Sequence, residues 1–103
     1  MIRITVLYPN THGSRFDMDY YLKKHCPMVL ERVGASCKGF GVDQGLAGVM
    51  PTGAPAFRVT AWFLFESIDT FEANFGPHAA AITADIPNYT DLQPIIQMGE
   101  VRA

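Results

Sequence analysis

The sequence predicts a single α+β domain of ferredoxin-like β-α-β-β-α-β order. Three observations predict it. Two runs, Ile2–Tyr8 and Phe57–Phe65, are rich in β-branched and aromatic residues, as strands are. Two stretches with helical spacing open on acidic or hydroxyl residues and end at glycine. All of this fits within 103 residues, the size of one domain.

In chain order, Ile2, Ile4, Val6 and Tyr8 alternate with Arg3, Thr5 and Leu7, so one face of the first strand is apolar. Pro9, Asn10 and Gly13 end it. Asp17 and Asp19 then stand at the front of a helix, where carboxylates favour free amides and the positive end of the dipole. That helix runs to Val33 and closes at Gly34, with a kink or a break expected near His25-Cys26 because Pro27 lacks an amide hydrogen. From Cys37 to about Leu46 three glycines weaken the alternation, which predicts a bent or bulged edge strand. Gly48 to Pro55 reads as a loop or loose hairpin tip, and Phe57–Phe65 as the strongest strand. Ser67 and Asp69 can cap a second helix, which Gly76-Pro77 breaks before a further helical piece from His78 to about Asp85. The last strand lies within Leu92–Val101, with Pro94 near its start. Right-handed crossovers put both helices on one face of a four-stranded antiparallel sheet.

The other face of the two central strands carries Arg3, Thr5, Leu7, Arg58, Thr60, Trp62 and Leu64. A sheet face left to water is polar along its length, and this one is mixed. Packing it on its own copy about a two-fold axis would close an eight-stranded barrel, so a homodimer is expected. The competing readings bury Trp62 under a loop or exchange the two faces of the sheet.

Composition narrows the partners. A net charge of −2 without a basic run gives no footing for nucleic acid or an anionic membrane. No run approaches the roughly 20 apolar residues of a membrane span. Cys26 and Cys37 do not suggest a disulfide framework, and Met1 leads straight into a strand without a leader pattern, so a cytoplasmic setting is expected.

Two segments carry a resemblance to a known family. One is Tyr20-Tyr21-Leu22-Lys23-Lys24-His25-Cys26-Pro27-Met28, containing Tyr-x-x-x-His-x-Pro. The other is Asp85 to Pro94, reading D-I-P-N-Y-T-D-L-Q-P. Together they resemble the EthD family of the dimeric α+β barrel superfamily, essentially end to end. The resemblance implies the ferredoxin-like fold and the shared-barrel dimer. It also implies relatives as varied as cofactor-free monooxygenases, lactone isomerases, polyketide cyclases and haem-handling enzymes, so it narrows architecture more than reaction.

Tyr21 and His25 are four apart and share a helical face turned to the sheet. An imidazole in such a cleft can move protons at neutral pH. His25 is the candidate general acid/base, with Tyr21 or Tyr20 as an orienting donor, and the resemblance carries the family's tyrosine and histidine onto Tyr21 and His25. The bland reading is that His25 bonds a carbonyl freed by Pro27. Phe63 and Tyr89 are candidate substrate contacts, as is Tyr20. Asp85 can cap a helix or form an ion pair, and Asn88, Thr90 and Asp91 can satisfy turn amides. His78 opens a helix and His12 sits in a loop. No histidine or cysteine spacing suggests a metal, and no motif suggests a nucleotide cofactor; a haem on His25 rests on superfamily analogy alone. Cys26 beside His25 points elsewhere around the helix. The expected function is a cofactor-independent enzyme of small-molecule catabolism acting by isomerisation, decarboxylation or ring opening. The alternative is a non-catalytic binding or accessory protein supporting an oxygenase system.

Overall fold

The pleat of the first strand decides which side of the sheet becomes the interior. In the computed structural model, which describes residues 1–103, β1 (Ile2–Pro9) buries Ile2, Ile4, Val6 and Tyr8 and leaves Arg3 exposed. With β2 (Gly39–Gln44), β5 (Phe57–Phe65) and β6 (Ile95–Glu100), β1 forms a four-stranded antiparallel sheet of order β2-β5-β1-β6. The register puts Ile4 opposite Phe63 of β5 (Phe57–Phe65) and Met98 of β6 (Ile95–Glu100). Residues directly opposite share a face, so the inward row crosses the whole sheet.

The helices cover that inward face. Asp17 caps α1 (Met18–Tyr20), its carboxylate accepting from the Tyr20 amide at 3.1 Å. The helix does not break before Pro27. It widens through a π-helical turn, Tyr21–His25, in which the Cys26 amide reaches back to the Tyr21 carbonyl. It then narrows to α2 (Cys26–Val33), with Pro27 in the first turn where its missing donor costs least. The irregularity expected near His25-Cys26 is thus a π turn within one continuous helical run, and its inserted residue re-phases the side chains ahead of it. Gly34 closes the helix at φ +59°, a conformation that glycine adopts without strain.

β2 (Gly39–Gln44) is the edge strand that its glycines suggested, but it is not bulged. It pairs with β5 in continuous register from Gly39↔Leu64 to Gln44↔Val59. The register shift falls between Tyr8 and Pro9 on β1. The glycines of β2 serve another purpose: a Cβ on Gly41 would lie 2.5 Å from the Trp62 indole nitrogen. The indole lies across Gly41 on the open face, and the Arg3 guanidinium sits over its ring, 4.8 Å from the centroid. The stretch after β2 forms a small hairpin, β3 (Gly48–Val49) and β4 (Thr52–Gly53).

Ser67 caps α3 (Ile68–Phe75) by accepting from the Thr70 amide at 3.1 Å. Short 3₁₀ turns at Gly76–His78 and Ile86–Asn88 flank α4 (Ala79–Asp85). Val33 of α2 joins Val59, Ala61 and Phe65 of β5 in one core cluster, with Phe71 of α3 packed against it, and Val29 of α2 and Ile82 of α4 are buried as well. No helix is long and apolar enough to cross a membrane.

Replacing Gly41 by valine should displace Trp62 and cost about 1–3 kcal/mol, the usual penalty for overpacking. A Cβ at Gly99 meets nothing within 4 Å, so Gly99→Ala should leave stability nearly unchanged. Urea unfolding of the two variants reads the difference.

Candidate functional site

The segment after α4 is sewn onto the loop before α1, and this builds the site. Phe16 bridges Thr90, the Asp17 amide donates to the Tyr89 carbonyl at 2.7 Å, and the Arg15 amide donates to the Asp91 carboxylate at 2.9 Å. The Thr90 hydroxyl donates to the Arg15 carbonyl at 2.6 Å, and the Arg15 guanidinium donates to the Pro87 carbonyl at 2.9 Å. These bonds hold Asp85, Asn88 and Tyr89 against the first helix.

There His25 meets Asp85. The imidazole Nδ1 lies 2.8 Å from Asp85 Oδ2, with the two side chains 7% and 18% exposed. Asp85 Oδ1 also accepts from the Tyr20 hydroxyl at 2.6 Å and from the Asn88 amide at 2.9 Å. On the other side of the ring, Nε2 stands 3.4 Å from the Tyr89 hydroxyl, and that hydroxyl is 2.7 Å from the Tyr8 hydroxyl. The π turn sets the Tyr21 ring in a stack with His25, centroids 5.5 Å apart at 16°. Tyr8, Phe16, Tyr21 and Tyr89 pack mostly edge-to-face around this chain.

Electrostatics follow from burial. Desolvation lowers the His25 pKa below its ordinary value, and the Asp85 carboxylate only partly offsets it. For Asp85 burial works upward, but hydrogen bonds from Tyr20, Asn88 and His25 outweigh it and hold the carboxyl below its usual value. Two of those donors are uncharged, so Asp85 stays ionised beside a neutral imidazole. Burial raises the phenols of Tyr8, Tyr21 and Tyr89, which remain protonated, and pushes the Cys26 thiol up to about 11.

His25 lines a cavity of about 120 Å³ between helices and sheet. Tyr8, Tyr21, Tyr89, Phe63 and Val29 share its wall. Ile96 of β6, also on the wall, is 60% exposed and marks the mouth. A cavity of about 150 Å³ takes a benzene molecule, so this one suits a compact ligand.

Of the residues singled out from sequence, His25, Tyr21, Phe63 and Tyr89 are brought together on this wall. Tyr20 is not on it: its hydroxyl is spent on Asp85. His25 bonds a carboxylate rather than a carbonyl freed by Pro27. His78 lies away from the cavity, 3.5 Å from the Arg32 guanidinium. Cys26 is buried in the core. No cluster of three or more histidine, cysteine or acidic side chains could hold a metal ion. A haem does not fit the wall as built, because both His25 nitrogens face protein partners and the cavity is far smaller than a porphyrin. Sequence reasoning missed Asp85, Asn88 and Tyr8 as members of the site. Tyr8 carried a usable signal, being a hydroxyl at the end of an otherwise hydrocarbon row; Asp85 carried none that pointed 60 residues back to His25.

Fold and site together define a ferredoxin-like α+β protein with an internal cavity between its helices and its sheet. The chain belongs to the EthD family: the EthD domain model matches residues 13–93. An EthD-like protein from Ralstonia eutropha JMP134 is 42% identical, with a TM-score of 0.92 over 99% of this chain and 92% of that one. An ethyl tert-butyl ether D family protein from Bacillus halodurans C-125 is 15% identical, with a TM-score of 0.75 over 99% of both chains. At the level of fold, a dimeric ferredoxin-like protein of unknown function from Bacteroides fragilis NCTC 9343 gives a TM-score of 0.61 at 9% identity, over 97% of this chain and 95% of that one. No curated protein matches the chain.

Because His25 titrates lower in the fold than in the unfolded chain, its burial is fully tolerated above the unfolded value of about 6.5. Stability should fall as pH drops below that value, and again as Asp85 protonates below its own unfolded value. NMR titration of His25 should give a pKa under the ordinary value, and Asp85→Asn should lower it further by removing the charge that favours imidazolium.

Proposed function

We propose that this EthD-family protein takes a compact, mainly apolar molecule into its cavity and moves a proton on it. His25 is the acid/base. The reaction class is isomerisation, decarboxylation or ring opening, without a cofactor. The observation that carries this reading is His25, bonded to Asp85 behind it, on the wall of a mainly hydrocarbon cavity. A carboxylate holding Nδ1–H fixes the tautomer and leaves Nε2 as the basic nitrogen. Tyr21 orients the ring by stacking, Phe63 and Tyr89 contact the ligand, and Tyr20 acts through Asp85.

A second reading has one observation in its favour. Beyond three phenols and one imidazole the wall offers a ligand only hydrocarbon and Pro94, as a carrier would. Such a carrier would hold a metabolite for an oxygenase system. Screening small cyclic compounds by ligand-observed NMR, then assaying turnover, separates the two. An enzyme should lose about 10²–10⁴-fold in kcat with His25→Gln while retaining binding. A carrier should bind equally well in both forms and turn nothing over.

The protein acts as a homodimer in this reading, packing its open sheet face on a second copy. Leu7, Trp62 and Leu64 are only half-buried there, Ile95 is exposed beside Leu7, and the similar Bacteroides protein is described as dimeric. Free thiols at Cys26 and Cys37 suit a reducing, cytoplasmic setting. Sedimentation equilibrium should give a dimer for the parent chain and a monomer for the double variant Leu7→Glu, Leu64→Glu. A parent chain that sediments as a monomer at micromolar concentration would remove the dimer from this account.

A further inference from the structure

The hydrogen-bond chain through the site has a forced direction. The Asp85 carboxylate can only accept, and it takes three donors: the Tyr20 hydroxyl, the Asn88 amide and His25 Nδ1–H. The neutral imidazole therefore has a bare lone pair on Nε2. The Tyr89 hydroxyl faces it at 3.4 Å and must donate. Its oxygen, 2.7 Å from Tyr8, must then accept from Tyr8. In the resting site the Tyr89 hydrogen is engaged with the base.

Protonation of Nε2 reverses this. Imidazolium Nε2–H donates to the Tyr89 oxygen, and the Tyr89 hydrogen is set free to point elsewhere. Resting on the function proposed above, we infer that the substrate is a small enolisable carbonyl compound, and that Tyr89, backed by Tyr8, is the donor that holds its enolate oxygen. The step balances without a co-reactant. The C–H bond beside the carbonyl breaks, its proton forms the Nε2–H bond, and the electron pair moves to the carbonyl oxygen. The Tyr89 hydroxyl, displaced from Nε2 by the entering C–H group, donates to the new oxyanion while its oxygen accepts from Nε2–H. Return of the proton from Nε2 to the other face of the same carbon completes an epimerisation, and return to the γ-carbon of a β,γ-unsaturated substrate's dienolate completes a double-bond isomerisation. A donor whose bond strengthens as negative charge develops on that oxygen favours the transition state over the bound ground state. The long 3.4 Å contact is one that an incoming C–H group can displace. The cavity of about 120 Å³ limits the substrate to roughly one small ring.

The probes are cyclopentanone, which has exchangeable α-hydrogens, and cyclopentane, which has none. Ligand-observed NMR reads binding of both, and α-hydrogen exchange of cyclopentanone in D₂O reads proton transfer. Saturable exchange, faster than in equimolar imidazole, is expected with the parent protein. Tyr89→Phe should lower its kcat by about 10²–10³-fold, as loss of one oxyanion donor does, with KM nearly unchanged. A far-UV circular dichroism spectrum like the parent's reports that the variant is folded. The ¹⁵N shifts of neutral His25 should give the Nδ1–H tautomer. Binding of both probes without saturable exchange overturns this inference and leaves the cavity reading standing. Binding of neither overturns both. Exchange in Tyr89→Phe within about threefold of the parent, far short of an oxyanion donor's effect, removes Tyr89 from the role.

Discussion

The alternation of β1 and β5 is the constraint from which the rest of the molecule follows. Because side chains of a strand point alternately to its two faces, Ile2, Ile4 and Val6 can be buried together only if Tyr8 is buried with them. The same pleat that gives the helices an apolar floor thus delivers a phenol to the end of that floor. A buried hydroxyl must find a partner, and the partner here is the Tyr89 hydroxyl. One strand pattern therefore sets both the core and the inner end of the hydrogen-bond chain.

Burying so many polar atoms is tolerable only because each is satisfied. No buried side-chain nitrogen or oxygen lacks a partner. Hydrogen bonds to a charged group contribute roughly 1.5–3 kcal/mol each, and Asp85 gathers three of them while keeping some contact with water. That geometry lets the carboxylate stay ionised at the rim while the imidazole deeper in stays neutral. The cavity beyond is lined mainly by Val, Ile and Phe side chains, whose low polarity strengthens any electrostatic interaction made inside it.

The first helix links backbone chemistry to site chemistry. Pro27 cannot donate, and the chain answers with a π turn instead of a break. The extra residue in that turn stacks Tyr21 on His25 and presents the imidazole to α4 and Tyr89. A proline read in isolation signals disruption. In this fold the helical run continues through the π turn, and the local adjustment becomes part of the site. The glycines of β2 carry a similar lesson: they look like a bulge along the chain, yet in space they are the room that Trp62 occupies.

What the sequence determined by itself is whatever depends on neighbours along the chain. The order of elements, the inward faces of β1 and β5, the caps at Asp17 and Ser67, the close at Gly34 and the pairing of Tyr21 with His25 on one face all rest on spacings of a few residues. What only the tertiary structure decided depends on partners far apart in the chain. Asp85 finds His25 because the bonds around Arg15, Phe16 and Thr90 lay one end of the chain on the other. Tyr20 turned to that carboxylate rather than to the cavity for the same reason. Local periodicity says which way a side chain points from its own element. It carries no information on what another element, packed against it by the burial of both, will set in its path.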